Sequence, residues 1–233
     1  MTLQEALNEF LFQKKLAGLS PKSIEDYQTI LGILLTAVGS SMPLESLSYT
    51  TVTNYILSLY DRPLSRSTVA TYIRNIRIFL HWVYREYGLS FNPAKIKVPK
   101  SPKKIVHIYT DTEIQFLFSC IQTSVPWITA RNSAIIALML DSGIRQKEVC
   151  ELQKADIDKE RMLMKVTGKG AKDRLVPLSY ISSLFLDDYL SQCPYSNTAY
   201  VFVDRLGRPL SGNAVRVFVN RLQKKITFRF IFA

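Results

Sequence analysis

Residues 141–152 read DSGIRQKEVCEL, and residues 167–178 read TGKGAKDRLVPL. In the first stretch a glycine precedes the predicted start of a helix, and Arg145 lies in the first turn of that helix. There its guanidinium can join unpaired backbone N–H groups in holding an anion. In the second stretch Lys169 lies in a Gly-Lys-Gly turn between two short alternating runs, which predicts a β-hairpin. Arg145 and Lys169 are therefore candidate residues for handling a phosphate.

In type, spacing and order, these residues resemble the first half of the active site of the tyrosine recombinases, the family that includes the phage integrases. The family pattern is Thr/Ser-Gly-apolar-Arg-x-x-Glu-apolar-x-x-Leu, then an Asp-Ile-Asp-like segment, then Gly-Lys-Gly-x-Lys-x-Arg-x-x-Pro-Leu. The chain contains all of these elements, with Asp156-Ile157-Asp158 between the two stretches. A solitary Gly-Lys-Gly turn is commonly an ordinary solvated hairpin, and a solitary arginine at a helix start is commonly an ion-pair partner. The resemblance therefore depends on the whole ordered set.

The resemblance implies a role for each of three residues. Arg145 clamps the scissile phosphate, a task that suits a planar and permanently charged guanidinium. Lys169 is the mobile general acid that protonates the leaving 5′ oxygen of DNA. Glu148, one helical turn after Arg145, orients that guanidinium. The alternative interpretation of Glu148 is an ordinary ion pair on a helix surface. The implied reaction is two transesterifications at phosphorus through a 3′-phosphotyrosine, which requires no metal, ATP or other cofactor.

The family also uses a His-x-x-Arg element, a further His or Trp, and a tyrosine that attacks phosphorus. Both histidines of this chain, His81 and His107, precede Arg145, and no tyrosine follows Tyr200. We therefore expect an incomplete catalytic domain, ended by a truncation or a frameshift, that forms no covalent adduct with DNA. The apolar residues 226–233 are alternatively a buried terminal strand.

The distribution of charge favours double-stranded DNA as the partner. The chain has 30 Lys and Arg against 19 Asp and Glu, a net charge of +11. Such an excess attracts a polyanion through counterion release and electrostatic steering, although a merely soluble basic protein is the simpler alternative. Between Arg62 and Lys104 there are ten basic residues and one acid, Glu86, so the charge is concentrated in one segment.

Length and composition predict two domains. The chain has 233 residues, 47% of them apolar, which can bury one large or two smaller cores. We assign residues 1–92 to a DNA-gripping domain, residues 93–107 to an extended linker rich in Pro and Lys, and residues 108–233 to a partial catalytic domain. The linker would let the two domains close around DNA.

The predicted fold is mainly α with a small antiparallel β-hairpin sheet. Helix-opening residues at Thr2, Ser20, Thr50 and Ser65 predict four helices in the first domain, the last ending near Tyr87. Together with Ser20-Pro21-Lys22-Ser23 and Ser67-Thr68-Val69-x-x-Tyr72, this layout resembles the SAM-like core-binding domain of the family. The second domain resembles an incomplete α+β tyrosine-recombinase catalytic domain. Its predicted elements are a helix after the capping box at Thr110, helices at 131–140, 179–191 and 212–225, and strands at 162–167 and 173–178.

The fourth predicted helix has an apolar stripe on one side and hydroxyls and arginines on another. Such a face suits phosphate contacts with a few base contacts, although a charged helix face is often only solvated. We interpret His81 as a rim residue of this face and not as a catalyst. The predicted DNA-binding residues are Ser67, Thr71, Arg74, Arg77, His81, Lys103, Lys104, Lys172 and Arg174.

Other classes of site are not indicated by the sequence. Cys120, Cys150 and Cys193 fit no metal-binding spacing and are expected to be reduced structural thiols. No apolar run approaches a membrane span and no signal peptide is apparent, so we expect a cytoplasmic protein without a membrane partner. Recombination by a mobile element implies a homo-oligomer on DNA. The main alternative is a non-catalytic DNA-binding protein or regulator derived from an integrase. An RNA-binding or scaffold protein is less favoured because no stacking-aromatic strand motif is present.

Overall fold

The computed structural model describes residues 1–100, 107–168, 170, 172–226 and 228. The chain divides into two compact units, Met1–Ile105 and Val106–Ala233. In the described part, helices predominate and one small antiparallel sheet lies in the second unit, which confirms the predicted fold class. No helix in the described ranges is both long and apolar enough to cross a lipid bilayer.

Within residues 1–100, the first unit has four α-helices and two short 3-10 turns. Local sequence explains the helix starts, because Thr2 forms a capping box with Glu5, and Ser65 accepts a hydrogen bond from the backbone of Thr68. The third helix begins earlier than predicted, since Ser48 and not Thr50 provides its N-cap. The helices are α1 (Leu3–Leu16), α2 (Pro21–Val38), α3 (Tyr49–Ser58) and α4 (Arg66–Glu86), and the turns are Leu44–Ser46 and Pro93–Lys95.

An aromatic cluster forms the centre of the first core. Phe10 of α1 is fully buried and its ring lies 5.4 Å from the rings of both Phe79 and Trp82 on α4. The ring of Tyr27 on α2 meets Phe10 edge-on at 5.3 Å. Trp82 also donates from its indole N–H to Gln13, at 2.8 Å, which satisfies its polar atom. Phe10 thus joins three helices.

The start of the predicted linker packs on this core. Ile96 is only 3% exposed and belongs to the buried cluster, and Val98 packs against it. The terminal Nη1 of Arg77 reaches the carbonyl oxygen of Ile96 at 3.4 Å. Residues 93–98 are therefore part of the first unit's fold. Residues 101–106, which include Lys103 and Lys104, lie outside the described residues.

The second unit surrounds a buried central helix. The elements are α5 (Asp111–Ser119), α6 (Pro126–Ser142), α7 (Gln146–Glu151), β1 (Ile157–Asp158), β2 (Leu163–Thr167), β3 (Asp173–Pro177), α8 (Tyr180–Gln192) and α9 (Gly212–Gln223). Ile135 and Leu138 of α6 are fully buried, as is Tyr189 of α8. The predicted apolar helix at 131–140 is the middle of α6.

The sheet has the strand order β1-β2-β3 and is antiparallel throughout. In the β2–β3 hairpin, Val166 pairs with Arg174 and Thr167 pairs with Asp173. Val166 is buried whereas Thr167 is exposed, so the alternation predicted from the sequence is present. The register fixes Arg174 on the strand that leaves the hairpin tip. Residues 227 and 229–233, most of the predicted terminal strand, lie outside the described residues.

Candidate functional site

Arg145 is placed by a glycine and a buried isoleucine. Gly143 has a φ of 64°, the left-handed conformation that ends α6 and that a glycine adopts without strain. Ile144 follows and is buried, which anchors the turn in the core. Arg145 then occupies the N-cap of α7 in an extended conformation, one position before the predicted first turn. Its side chain is 59% exposed, so the guanidinium is accessible from solvent.

Glu148 holds Arg145 from within the same short helix. Its side chain is only 2% exposed, and its Oε1 accepts a hydrogen bond from Nη1 of Arg145 at 3.0 Å. The Oε2 atom accepts from the backbone N–H of Arg145 at 2.7 Å, which caps the helix start. The structure therefore brings the two residues into the contact that an orienting role requires, while the role itself stays a prediction.

Arg174 is a second partner of the same carboxylate. Its Nη1 donates to Oε1 of Glu148 at 2.6 Å, and its Nη2 donates to Oε2 at 2.8 Å. This two-pronged pair is the strong geometry of an arginine and a carboxylate. Arg174 was predicted to be a DNA-binding residue. In the structure both terminal nitrogens of its 37% exposed side chain bond to Glu148.

The electrostatics of this cluster favour an anion on the Arg145 side. Hydrogen bonds from Arg174, and next those from the backbone and side chain of Arg145, lower the pKa of Glu148 to about 2, although burial acts in the opposite direction. Glu148 is therefore ionised at neutral pH. Two positive charges and one negative charge leave a net charge of +1. This positive charge is most accessible at Arg145.

The hairpin comes close to this cluster through Gly168. A β-carbon at this position would lie 3.2 Å from Nη1 of Arg174 and 3.5 Å from Oε1 of Glu148. A side chain here would therefore press on the ion pair. The backbone N–H of Gly168 donates to the carbonyl of Lys172 at 2.8 Å, a bond that joins the two arms of the hairpin just beyond the ends of β2 and β3. The side chain of Lys172 is exposed, whereas the predicted general acid Lys169 lies outside the described residues.

An open groove of about 690 Å³ lies beside Arg145, between α7 and the start of α9. Gln146 bridges the two helices by donating from its side-chain amide to the carbonyl of Gly212. Gln146, Lys147 and the start of α9 were not among the residues predicted for the site. The exposed Lys147 lies two residues after the motif arginine, so its charge and its place in the motif could have indicated it. Other lining residues include Tyr200 and Ser211.

The predicted DNA-binding face of α4 is only partly exposed to solvent. Ser67, Thr71 and Arg74 are exposed, whereas Arg77 and His81 are half-buried. The hydroxyl of Thr71 donates to the carbonyl of Ser67, so it already serves the helix. Within the described residues, no carboxylate forms an ion pair with Arg74 or Arg77. Arg74 is therefore the most available cation of this face.

The cysteines lie apart from these contacts. Cys120, Cys150 and Cys193 are free thiols. Cys150 lies on α7 and is buried, and burial raises its pKa to about 11. It is therefore protonated at neutral pH and behaves as a small apolar core residue.

Comparison with known proteins agrees with the motif. The model of the phage integrase family matches residues 108–230. The chain belongs to this family. The resemblance drawn from the two motif stretches is thereby confirmed, while the core-binding interpretation of residues 1–92 stays a prediction.

Relatives similar to this chain include bacterial tyrosine recombinases. The XerC recombinase of Bacillus pumilus is 30% identical over 190 residues, which are 78% of this chain and 62% of that protein. The XerD recombinase of Halalkalibacterium halodurans is 26% identical over 235 residues, 97% of this chain and 78% of that protein. The chain thus spans less than two thirds of the length of the first of these relatives.

Solved structures share the integrase fold. The Tn1549 transposon integrase in complex with circular intermediate DNA has a TM-score of 0.79 at 16% identity, covering 97% of this chain and 78% of that chain. A lambda integrase dimer bound to a COC′ core site has a TM-score of 0.78 at 17% identity, covering 98% of this chain and 80% of that chain. At these identities the likeness concerns the fold.

Proposed function

We propose that this phage integrase family protein acts in site-specific DNA strand breaking and rejoining of the tyrosine recombinase type, with Arg145 on the scissile phosphate. The observation that carries the proposal is the exposed guanidinium of Arg145, held by the buried carboxylate of Glu148. A donor group already aimed and charged before the substrate arrives needs little reorganisation as charge develops on phosphorus.

The remaining roles follow the motif. Lys169 of the Gly-Lys-Gly sequence is the proposed general acid, and Lys172 is a proposed contact to the DNA backbone. On the first unit, Ser67, Thr71, Arg74, Arg77 and His81 are the proposed gripping face. Lys103 and Lys104, which follow in the sequence, are further proposed DNA contacts. We further propose a cytoplasmic protein that assembles as a homo-oligomer on double-stranded DNA, as lambda integrase does in its dimer and tetramer complexes with DNA.

Scanning the DNA backbone for neutral substitutions tests the Arg145 site. A duplex selected from a random pool by binding would be resynthesised with one methylphosphonate at each position in turn. We expect one position where loss of the phosphate charge weakens wild-type binding by about tenfold, the scale of a charged hydrogen bond. The variant R145A should bind the unmodified duplex more weakly than wild type does, and it should lose no further affinity when the phosphate at that position is neutralised.

The control for this test is R161A, which removes an arginine of the β1–β2 turn that is 80% exposed. It should keep the full sensitivity at the same phosphate. If R145A and wild type respond alike at every position, Arg145 does not hold a DNA phosphate and the proposal fails.

The first unit provides a second prediction, on salt dependence. Affinity for duplex DNA should fall steeply with salt, and each phosphate contact contributes about 0.9 to the slope of log affinity against log salt. Replacing Arg74 by alanine should reduce the slope by about that amount, and replacing Arg77 as well should reduce it further.

Mobility-shift titrations across a range of salt concentrations measure this slope. Lys15→Ala on α1, which removes one exposed charge from the same unit, is the matched control and should leave the slope unchanged. An absence of DNA affinity at low salt, or an unchanged slope in R74A, contradicts the assignment.

A further inference from the structure

Four hydrogen bonds converge on the carboxylate of Glu148, and they come from two parts of the chain. Arg145 contributes its backbone N–H and its Nη1, while Arg174 contributes both terminal nitrogens. The first set is local to the start of α7. The second set comes from β3, 26 residues further along the chain. Glu148 therefore connects the hairpin to the helix that presents Arg145.

The two arginines differ in what holds them. Arg174 is fixed at its Cα by the β2–β3 register opposite Val166, and at its end by the two-pronged pair. Arg145 is more exposed, and its guanidinium has one hydrogen bond to the described protein, at 3.0 Å to Glu148. The direction of the Arg145 guanidinium thus depends on where the Glu148 carboxylate lies. That position depends in turn on Arg174.

We propose that Arg174 is a positioning residue that acts through Glu148 to aim Arg145 at the DNA phosphate, and that it makes no phosphate contact of its own. This inference rests on the proposed function of Arg145. It replaces the direct DNA contact that the basic hairpin sequence suggested for Arg174. Its physical basis is that both Nη atoms are bonded to a buried carboxylate and that Gly168 lies close to one of them, since a β-carbon built there would be 3.2 Å from Nη1.

The consequence is a specific coupling between two residues that lie on different elements. Without Arg174, Glu148 keeps only its partners on its own helix, and the Arg145 guanidinium loses its fixed direction. The charge of Arg145 remains, so overall attraction to DNA persists. What is lost is the stronger dependence of binding on the charge of the Arg145 phosphate than on the charge of its neighbours.

The test applies the methylphosphonate scan to R174M, which keeps an unbranched apolar stem and removes the charge and the donors. Wild type should lose about tenfold affinity at the Arg145 phosphate, whereas R174M should lose less than about threefold there and should gain no new insensitive position. K165M is the matched control, because Lys165 lies on β2 of the same hairpin and forms its ion pairs with Asp156 and Asp173. It should keep the tenfold loss.

A folding defect in R174M would be detected by thermal denaturation, and R174K then carries the test. Lysine keeps the charge but cannot form the two-pronged pair, so R174K should also lose most of the sensitivity at the Arg145 phosphate. The double variant R174M/E148Q should show nearly the same sensitivity at the Arg145 phosphate as either single variant, because both changes act on the same contact.

Two different results would overturn the inference. Full tenfold sensitivity at the Arg145 phosphate in both R174M and R174K would show that Arg174 does not aim Arg145. A loss of sensitivity at another phosphate would show that Arg174 contacts DNA directly. In contrast, if wild type has no phosphate that depends on Arg145, the proposed function itself is wrong, so the two failures are distinguishable.

Discussion

Replacing Glu148 by glutamine should destabilise the protein by about 3 kcal/mol at neutral pH, because a buried charge that is removed leaves its partners uncompensated. Glutamine has nearly the same shape, so little packing is lost. What changes is the charge between Arg145 and Arg174, together with two of the acceptor lone pairs that they use. Chemical denaturation at pH 7 measures the effect.

The pH dependence of this effect identifies its origin. The pKa of Glu148 is lowered from 4.5 to about 2 in the folded protein, chiefly by hydrogen bonds from Arg174. A lowered carboxyl pKa adds stability above the unfolded pKa, and that stability is lost as pH falls through the folded pKa. The difference between wild type and E148Q should therefore be full above about pH 5 and should shrink progressively towards pH 2.

E151Q is the matched control for this prediction. Glu151 lies on the same short helix, but its side chain is 52% exposed and its pair with Lys147 is long, at 3.5 Å. Exposed pairs of this kind contribute about 0 to 1 kcal/mol. Equal destabilisation in the two variants, or a difference that does not depend on pH, would contradict the role assigned to the Glu148 cluster.

Replacing Phe10 by alanine should destabilise the first unit by about 3 to 5 kcal/mol, the range for removing a large buried aromatic. Phe10 is fully buried and touches the rings of Tyr27, Phe79 and Trp82. The cavity left at this junction cannot close without moving α1, α2 or α4. Thermal or denaturant unfolding monitored by tryptophan fluorescence is a suitable measurement, since Trp82 lies in the cluster.

The chain provides a matched control two residues away. Phe12 lies on the same helix but is 61% exposed, so F12A should change stability by no more than about 0.5 kcal/mol. Similar losses in F10A and F12A would mean that α1 does not pack as described. If stability falls in F10A and not in F12A, a DNA-binding defect in F10A would result from unfolding of the first unit and not from a lost contact with DNA.

Much of the fold was predictable because local signals agreed with the packing. Thr2, with its capping box, and Ser65 are both N-caps in the structure, as predicted. The two alternating runs on either side of the Gly-Lys-Gly sequence form the strands of the β2–β3 hairpin. The start of α3 was misplaced for a simple reason. Ser48 and Thr50 are both good capping residues, and the sequence alone does not distinguish them.

The contact between Glu148 and Arg145 was predictable, whereas the contact between Glu148 and Arg174 was not. A spacing of three residues places the first pair together on any helix. The second pair is separated by 26 residues and depends on how the hairpin packs against α7, which no local pattern encodes. A DNA contact was therefore predicted for Arg174, whereas the structure shows both of its terminal nitrogens bonded to the Glu148 carboxylate. Whether it also contacts DNA is what the phosphate scan of R174M measures.

The linker was predicted from its content of Pro and Lys, which does not take the order of the residues into account. Prolines and lysines around residues 93–100 indicated an extended segment, yet Ile96 and Val98 alternate with lysines in the same stretch. Such alternation allows apolar side chains to face a core while charged ones remain in solvent. Ile96 is accordingly part of the first core.

For the design of variant libraries, position 143 is the place where Arg145 can be disturbed without altering any polar group. Nothing lies within 4 Å of a β-carbon built on Gly143, so the obstacle to other residues is backbone handedness and not crowding. An L-residue forced into that left-handed turn incurs a penalty of about 1 to 2 kcal/mol, or relaxes by rotating the chain that leads through Ile144 to Arg145. A library that varies this glycine therefore samples directions of the phosphate-facing arginine, and Asn is the substitution that best keeps the original direction.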